Sequence, residues 1–174
     1  MISRIPRGYW IWGQFDIKST KLLASLYQNI NNKLNGPKFD IHLTISGPFP
    51  HREDVHTKIF ENLSRKFGKL NLQLNGMKQT SEFFRSLYID VVENKTLNDL
   101  KKSIDHSFNI DHPEYLPHIS LFYGIEDVAI KKNIINNLET PKNVILDRLS
   151  IVEVDEEIKS WKVIKSYSLF KTTQ

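Results

Sequence analysis

Apolar residues change their spacing repeatedly along this chain, and each change marks an element. Tyr9 to Phe15 is aromatic and β-branched behind Gly8, which predicts a strand. Between Lys18 and Leu34 the apolar positions Leu22, Leu23, Leu26, Ile30 and Leu34 recur in steps of three and four. That spacing predicts an amphipathic helix, stopped by Asn35-Gly36-Pro37. Phe39 to Ser46 returns to alternation and reads as a strand ending at Gly47-Pro48. A second helix is expected over Glu53 to Phe67, with Val55, Ile59, Phe60, Leu63 and Phe67 apolar and Gly68 at its C-cap. Leu70, Leu72 and Leu74 then alternate with polar residues in a strand that ends at Asn75-Gly76. Past a polar loop around Lys78 to Glu82, Phe84 to Val92 is strand-like, with Leu87, Ile89 and Val91 on one face. Asn94 to Phe108 is helical, with Leu97, Leu100, Lys101 and Ile104 on one side. The polar connection Asn109 to Glu114 leads into Tyr115 to Gly124, and Asp127 to Leu138 is a short helix. Val144 to Val154 and Trp161 to Phe170 are the last strands, joined through an acidic turn at Asp155-Glu156-Glu157.

The order is strand, helix, strand, helix, strand, then the same again with one strand added. Sliding the chain by 76 positions sets Phe39 on Tyr115, His42 on His118, Leu43 on Ile119, Thr44 on Ser120 and Ile45 on Leu121. The same offset sets Tyr9 to Phe15 on Arg85 to Val91, and the helix beginning at Lys18 on the one beginning at Asn94. A duplicated unit is inferred. The expected fold class is α+β and bilobal, with antiparallel sheets lining a central groove, helices outside and a pseudo-two-fold axis between the histidines. The whole of 1–174 is read as one domain. Lobe one covers about 8–76, and lobe two about 84–154 with the final strand at about 161–170.

In a strand, residues i and i+2 project from the same face. His42 therefore stands beside Thr44, and His118 beside Ser120, while Ile41, Leu43, Ile45, Ile119 and Leu121 turn toward a core. Asp40 and Ser46 share the face of His42. A single His-x-Thr is commonly no more than a solvated strand face, but two at equivalent positions of a repeat point to a site. An imidazole with an ordinary pKa near ~6.5 can accept or donate a proton at neutral pH. Two of them across a groove suit acid and base work on a phosphodiester, and the two hydroxyls suit its nonbridging oxygens. Among the aromatics Trp10, Trp12, Tyr88, Tyr123 and Trp161, one or two could stack on a nucleobase. Tyr123 is the best placed, at a strand end before Gly124, and Arg85 could reach a phosphate.

At 174 residues, 40% hydrophobic and 25% charged, the chain has the composition of an ordinary globular protein. It has no cysteine, which excludes disulfides, thiolate metal sites and a cysteine nucleophile, and fits a reducing compartment. No apolar run approaches the ~20 residues of a membrane span or forms a signal peptide, so a cytoplasmic protein is expected; separately, it is expected to be a monomer. The net charge of +4 suits an anionic ligand without identifying one. His51 and His56, five apart near a helix start, read as surface residues. His106 sits at a helix C-terminus, where a cation is favoured, and His112 lies in the loop beyond. The acidic turn at 155–157 reads as a solvated hairpin, and neither a metal nor another cofactor is called for.

The segments Phe39-Asp40-Ile41-His42-Leu43-Thr44-Ile45-Ser46-Gly47-Pro48-Phe49 and Leu116-Pro117-His118-Ile119-Ser120-Leu121-Phe122-Tyr123-Gly124 resemble the paired His-x-Thr/Ser motifs of the two-histidine (2H) phosphoesterases. The second segment is similar to the cyclic phosphodiesterase branch, and the first also to the 2′-5′ RNA ligase-like branch. Phe84 to Tyr88 and Trp161-Lys162 sit where cyclic phosphodiesterases have comparable segments. The resemblance implies metal-independent hydrolysis of 2′,3′-cyclic phosphates of nucleotides or RNA ends, commonly to 2′-phosphates. It implies His42 and His118 as the catalytic pair and Thr44 and Ser120 as phosphate binders, with Tyr123, Trp12 and Arg85 as possible substrate contacts. By the same analogy His118 is the base toward water and His42 the acid toward the leaving oxygen, an assignment that a carboxylate of Asp40 beside His42 would favour. The alternatives are hydrolysis of 2′-5′-linked or cyclic oligonucleotides, and RNA or nucleotide binding without turnover.

Overall fold

Seven antiparallel strands and four helices follow the expected order in the computed structural model, which describes residues 5–50, 53–111 and 114–170. The elements are β1 (Gly8–Phe15), α1 (Ile17–Asn31), β2 (Leu43–Phe49), α2 (Glu53–Lys66), β3 (Leu70–Gln79), β4 (Leu87–Val91), α3 (Lys95–Phe108), β5 (His118–Phe122), α4 (Val128–Asn137), β6 (Asn143–Val154) and β7 (Lys162–Ser168). Single 3-10 turns lie at Phe83–Arg85 and Ile158–Ser160. His51 and His112 fall outside the described residues.

Local chemistry explains the helix starts. The side chains of Asp16, Asn94 and Asp127 accept hydrogen bonds from the first-turn amides of Ser19, Leu97 and Ala129, satisfying donors the helices cannot. On α1 the residues Leu23, Leu26 and Ile30 are buried. Leu22, expected in that stripe, is instead exposed, one position off the buried face.

The strands form one ladder in the order β1-β2-β5-β4-β3-β6-β7, and a further β1–β6 pairing closes it. The bilobal arrangement arises from exchange between the repeats. The third strand of the first repeat, β3, pairs with β4, and the third strand of the second, β6, pairs with β1. Helices cross over in the same way: α1 packs against β5, and α3 against β2. One continuous core runs beneath, from Ile11, Leu23 and Leu43 to Ile89, Ile119 and Leu146, so neither repeat has an interior of its own.

The seam between β2 and β5 positions the site. Among the described residues its register is a single pair, Leu43 opposite Ile119, which are equivalent under the 76-residue offset and fully buried. The pseudo-two-fold axis therefore passes between them. His42 and Thr44 flank one member of the pair and His118 and Ser120 flank the other, so all four project away from the core.

Several boundaries differ from the pattern reading: α1 stops at Asn31, and β2 runs on through Gly47-Pro48 to Phe49. β2 begins at Leu43, directly after His42, and β4 at Leu87, because Phe83–Arg85 turn as a 3-10 helix. Asn75-Gly76 does not end β3. It is a bulge, with Leu74 opposite Val91 and Met77 opposite Ile89, so β3 has one residue too many for its partner.

Candidate active site

His42, Thr44, His118 and Ser120 line a cleft of about 280 Å³, together with Trp12, Tyr123 and Arg85. All seven residues picked out from the sequence are thus brought to one place. Trp10, Glu82, Phe84 and Trp161 complete most of the wall. The sequence pattern assigns no site role to Glu82 or to Phe84, which it places in a strand; a 3-10 turn at Phe83–Arg85 carries both to the cleft. The backbone ties that turn down: Ser120 Oγ donates to the Phe84 carbonyl at 3.0 Å, and the Gly124 amide to that of Phe83 at 3.0 Å.

Both imidazoles are held alike. Nδ1 of His42 lies 2.6 Å from the Asp40 carbonyl, and Nδ1 of His118 lies 2.8 Å from the Leu116 carbonyl, in each case two residues back. A carbonyl only accepts, so Nδ1 carries the hydrogen, and in the neutral ring Nε2 keeps its lone pair. The expectation for Asp40 changes accordingly. Its carbonyl, not its carboxylate, contacts His42, so the push toward imidazolium comes from that hydrogen bond and is outweighed by burial. Ser46 also leaves the face of His42. β2 carries an extra residue between Thr44, opposite Trp12, and Ser46, opposite Ile11, and this bulge turns the Ser46 hydroxyl to the Asp105 carboxylate of α3. Asp105 is itself paired with buried Lys101 at 2.6 Å.

The surroundings of the two rings differ. The Trp12 indole lies parallel to His42, with ring centres 3.5 Å apart and planes 4° apart. Burial drives the His42 pKa down to about 3, against the raising effect of the Asp40 carbonyl and with a further lowering from His118. His118 is half-buried, and the Tyr88 ring meets it edge-on at 5.4 Å. Burial lowers its pKa too. The Leu116 carbonyl opposes that, Arg85 adds to it, and Glu82 and Asp90 oppose it.

Arg85 donates to Glu82 at 3.0 Å, and its guanidinium lies over the Tyr88 ring at 5.5 Å. Its Nε is buried and has no hydrogen-bond partner among the described residues. Tyr123 is buried with its ring stacked on Phe39 at 3.8 Å, and burial raises its phenol pKa against a hydrogen bond with Ser120. Trp161 meets both Trp12 and Tyr123 edge-on and lies nearly parallel to Phe84, leaving an aromatic slot beside the polar floor.

The remaining candidates separate. His56, expected at the surface, is buried edge-on against Phe49 and Phe108. His106 is exposed in the last turn of α3. In the acidic turn, Asp155 and Glu156 pair with Arg7, and Glu157 with Lys159. No helix among the described residues is long and apolar enough to cross a membrane.

The chain is similar to known proteins in sequence and in fold. The family described as cyclic phosphodiesterase-like protein matches residues 11–174. A cyclic phosphodiesterase of Arabidopsis thaliana is 20% identical over 166 residues, covering 90% of this chain and 92% of that protein. Among solved structures, TT0787 of Thermus thermophilus superposes with a TM-score of 0.65 at 12% identity, covering 95% of this chain and 99% of its own. LigT of E. coli, solved with 3′-AMP, superposes with a TM-score of 0.65 at 10% identity, covering 96% and 100%. At such identities the structural matches show a shared fold.

Proposed function

The chain belongs to the cyclic phosphodiesterase-like family and is an enzyme of the two-histidine phosphoesterase type, and from that premise we propose that it hydrolyses 2′,3′-cyclic phosphates of nucleotides or RNA ends to 2′-phosphates. The observation that carries the reading is the matched pair of imidazoles, each anchored at Nδ1 and each offering Nε2, on either side of the Leu43–Ile119 seam. Water attacks phosphorus as one Nε2 takes its proton, the bond from phosphorus to the ribose 3′-oxygen breaks, and the other imidazole delivers a proton to that oxygen. Thr44 and the unpartnered Nε of Arg85 serve the nonbridging oxygens directly, and Ser120 joins them by turning its hydroxyl from the Phe84 carbonyl to the phosphate. The base stacks against the aromatic wall that Phe84 and Trp161 form. LigT has been solved with 3′-AMP, with ATP and with NADP+, which supports a nucleotide as the occupant.

Both histidines are depressed in the free site, so the proton donor is created when the anionic phosphate enters and raises their proton affinity. The two repeats, about 8–76 and about 84–154 with the closing strand at about 161–170, act as one domain, because each supplies one histidine. We place the protein in the cytoplasm as a monomer that needs no metal for this reaction, and assign it to RNA processing. The test is product release from nucleoside 2′,3′-cyclic monophosphates in excess chelator, with product phosphates identified by phosphorus NMR. Loss of turnover in chelator, restored by a metal, overturns the metal-free part, and full activity in His42→Ala or His118→Ala overturns the mechanism.

A further inference from the structure

A bulge outside the cleft bears on the histidine inside it. In a regular strand Asn75 and Lys78, three apart, would face opposite ways. The extra residue between Leu74 and Met77 restores them to one face, and Gly76 at φ +74° supplies the left-handed backbone that the bulge requires. Leu74 and Met77 both turn to the core. Asn75 and Lys78 both turn outward and meet the same atom, Oδ2 of Asp90, at 3.0 and 2.6 Å. Neither bonds Oδ1.

Asp90 is the cross-strand partner of His118, as Tyr88 is of Ser120. Directly opposed residues share a face, with Cβ atoms about 4.5–5.5 Å apart. The carboxylate is partly sheltered, its side chain 28% exposed. Burial disfavours its charge, but the bonds from Lys78 and Asn75, with the charges of Lys78 and His118, outweigh that and keep it below the usual carboxylate range. The other charged or titratable groups around His118 are Arg85 and Glu82 from the turn before β4, Tyr88 on β4, and His42. Arg85 and Glu82 are bonded to each other at 3.0 Å, which offsets their opposite effects. Asp90, partly offset by Lys78, is the carboxylate on the strand directly opposite His118.

We propose that Asp90 is a positioning residue whose carboxylate, clamped by Lys78 and Asn75, favours His118 over His42 for the proton taken up when the phosphate enters, and so makes His118 the acid and His42 the base. This deepens the reading of the site as a two-histidine phosphodiesterase and rests on it for the roles, which reverse those carried over by analogy. The coupling between Asp90 and His118 is independent of any substrate. Lys78 acts as a moderator, because its ammonium offsets the carboxylate and itself repels an imidazolium.

The test uses the full chain with ring-labelled histidine, following the His118 and His42 imidazole signals by NMR titration in the wild type, Asp90→Asn, Lys78→Met and Asp90→Glu. Asp90→Asn should lower the titration midpoint of His118 by about half a pH unit or more, with little change at His42. Lys78→Met should raise it, and Asp90→Glu should return it toward the wild-type value. Lys78 is 46% exposed, so Lys78→Met keeps the test open if Asp90→Asn fails to fold. An unmoved His118 midpoint in Asp90→Asn, or shifts of the same sign in Asp90→Asn and Lys78→Met, overturns the coupling. The roles are read from kcat/KM against pH on a nucleoside 2′,3′-cyclic phosphate. The alkaline limb should move down in Asp90→Asn and up in Lys78→Met, and movement of the acid limb instead makes His118 the base. No turnover of any cyclic phosphate by the wild type overturns the proposed reaction and with it the roles, while the titrations still decide the coupling.

Discussion

Around His42 the neighbours are aromatic, whereas around His118 they are charged. The repeat makes the comparison position by position. Trp12, parallel to the His42 ring, corresponds to Tyr88, which meets His118 only by an edge. Gln14, bonded to Ser150 at 2.6 Å, corresponds to Asp90, clamped by Lys78 and Asn75. The Asp40 and Leu116 carbonyls correspond and do the same work. Duplication thus supplies two equivalent nitrogens, and divergence of the next residues outward gives them unequal proton affinities. A symmetric pair would have no reason to divide acid from base. The hydroxyls are unequal as well. Ser120 is committed to the Phe84 carbonyl, while the Thr44 hydroxyl has no hydrogen-bond partner among the described residues.

Removing either ring should break the comparison outright. His42→Ala and His118→Ala are each expected to reduce kcat/KM on a nucleoside 2′,3′-cyclic phosphate by about 10⁴-fold, ~5.4 kcal/mol. Removing the ring's neighbour sharpens it. Trp12→Ala empties a buried position at 3% exposure and should cost about 3–5 kcal/mol of stability in urea unfolding, against about 1 kcal/mol for half-buried Tyr88→Ala. Of the hydroxyls, Thr44→Val should lower kcat about 10²-fold with stability kept. Ser120→Ala should also loosen the turn bearing Phe84, at about 1 kcal/mol in the same unfolding assay.

Proton linkage gives a fourth contrast. The His42 pKa in the folded chain, about 3, lies below the unfolded value near ~6.5. Between those values the unfolded chain binds the extra proton, so stability falls as pH drops, by about 1.4 kcal/mol per pH unit from this group. His118 acts in the same direction. Urea midpoints measured from pH 7 to pH 4 should therefore decline less steeply in His42→Gln than in the wild type. The smallest effect is at the bulge: Gly76→Ala meets no heavy atom within 4 Å, so only the left-handed backbone resists it, at about 1 kcal/mol. Its NMR shifts should be confined to the His118 side.

Much of the fold is legible because the apolar periods of two and of three to four are strong along this chain, and because a 76-residue offset aligns the elements in pairs. The buried stripe of α3, including Lys101, is one case. The departures have a common cause. Ser46, Asn75-Gly76 and Leu87 differ from the pattern where a bulge or a 3-10 turn breaks the period, and alternation carries no signal for an inserted residue. His56 departs because a ring packed between Phe49 and Phe108 is polar in composition but buried in context.

The element order, the duplication and the four polar side chains at the repeated motif follow from side-chain periodicity and identity alone. Tertiary structure decided the rest. Exchange of β3 and β6 between repeats closes the ladder, and the single pair of Leu43 with Ile119 turns two distant motifs into one cleft. It also decided what each imidazole meets. Desolvation by Trp12 on one side and a clamped Asp90 on the other depend on cross-strand register, which fixes through-space distances that no local pattern encodes.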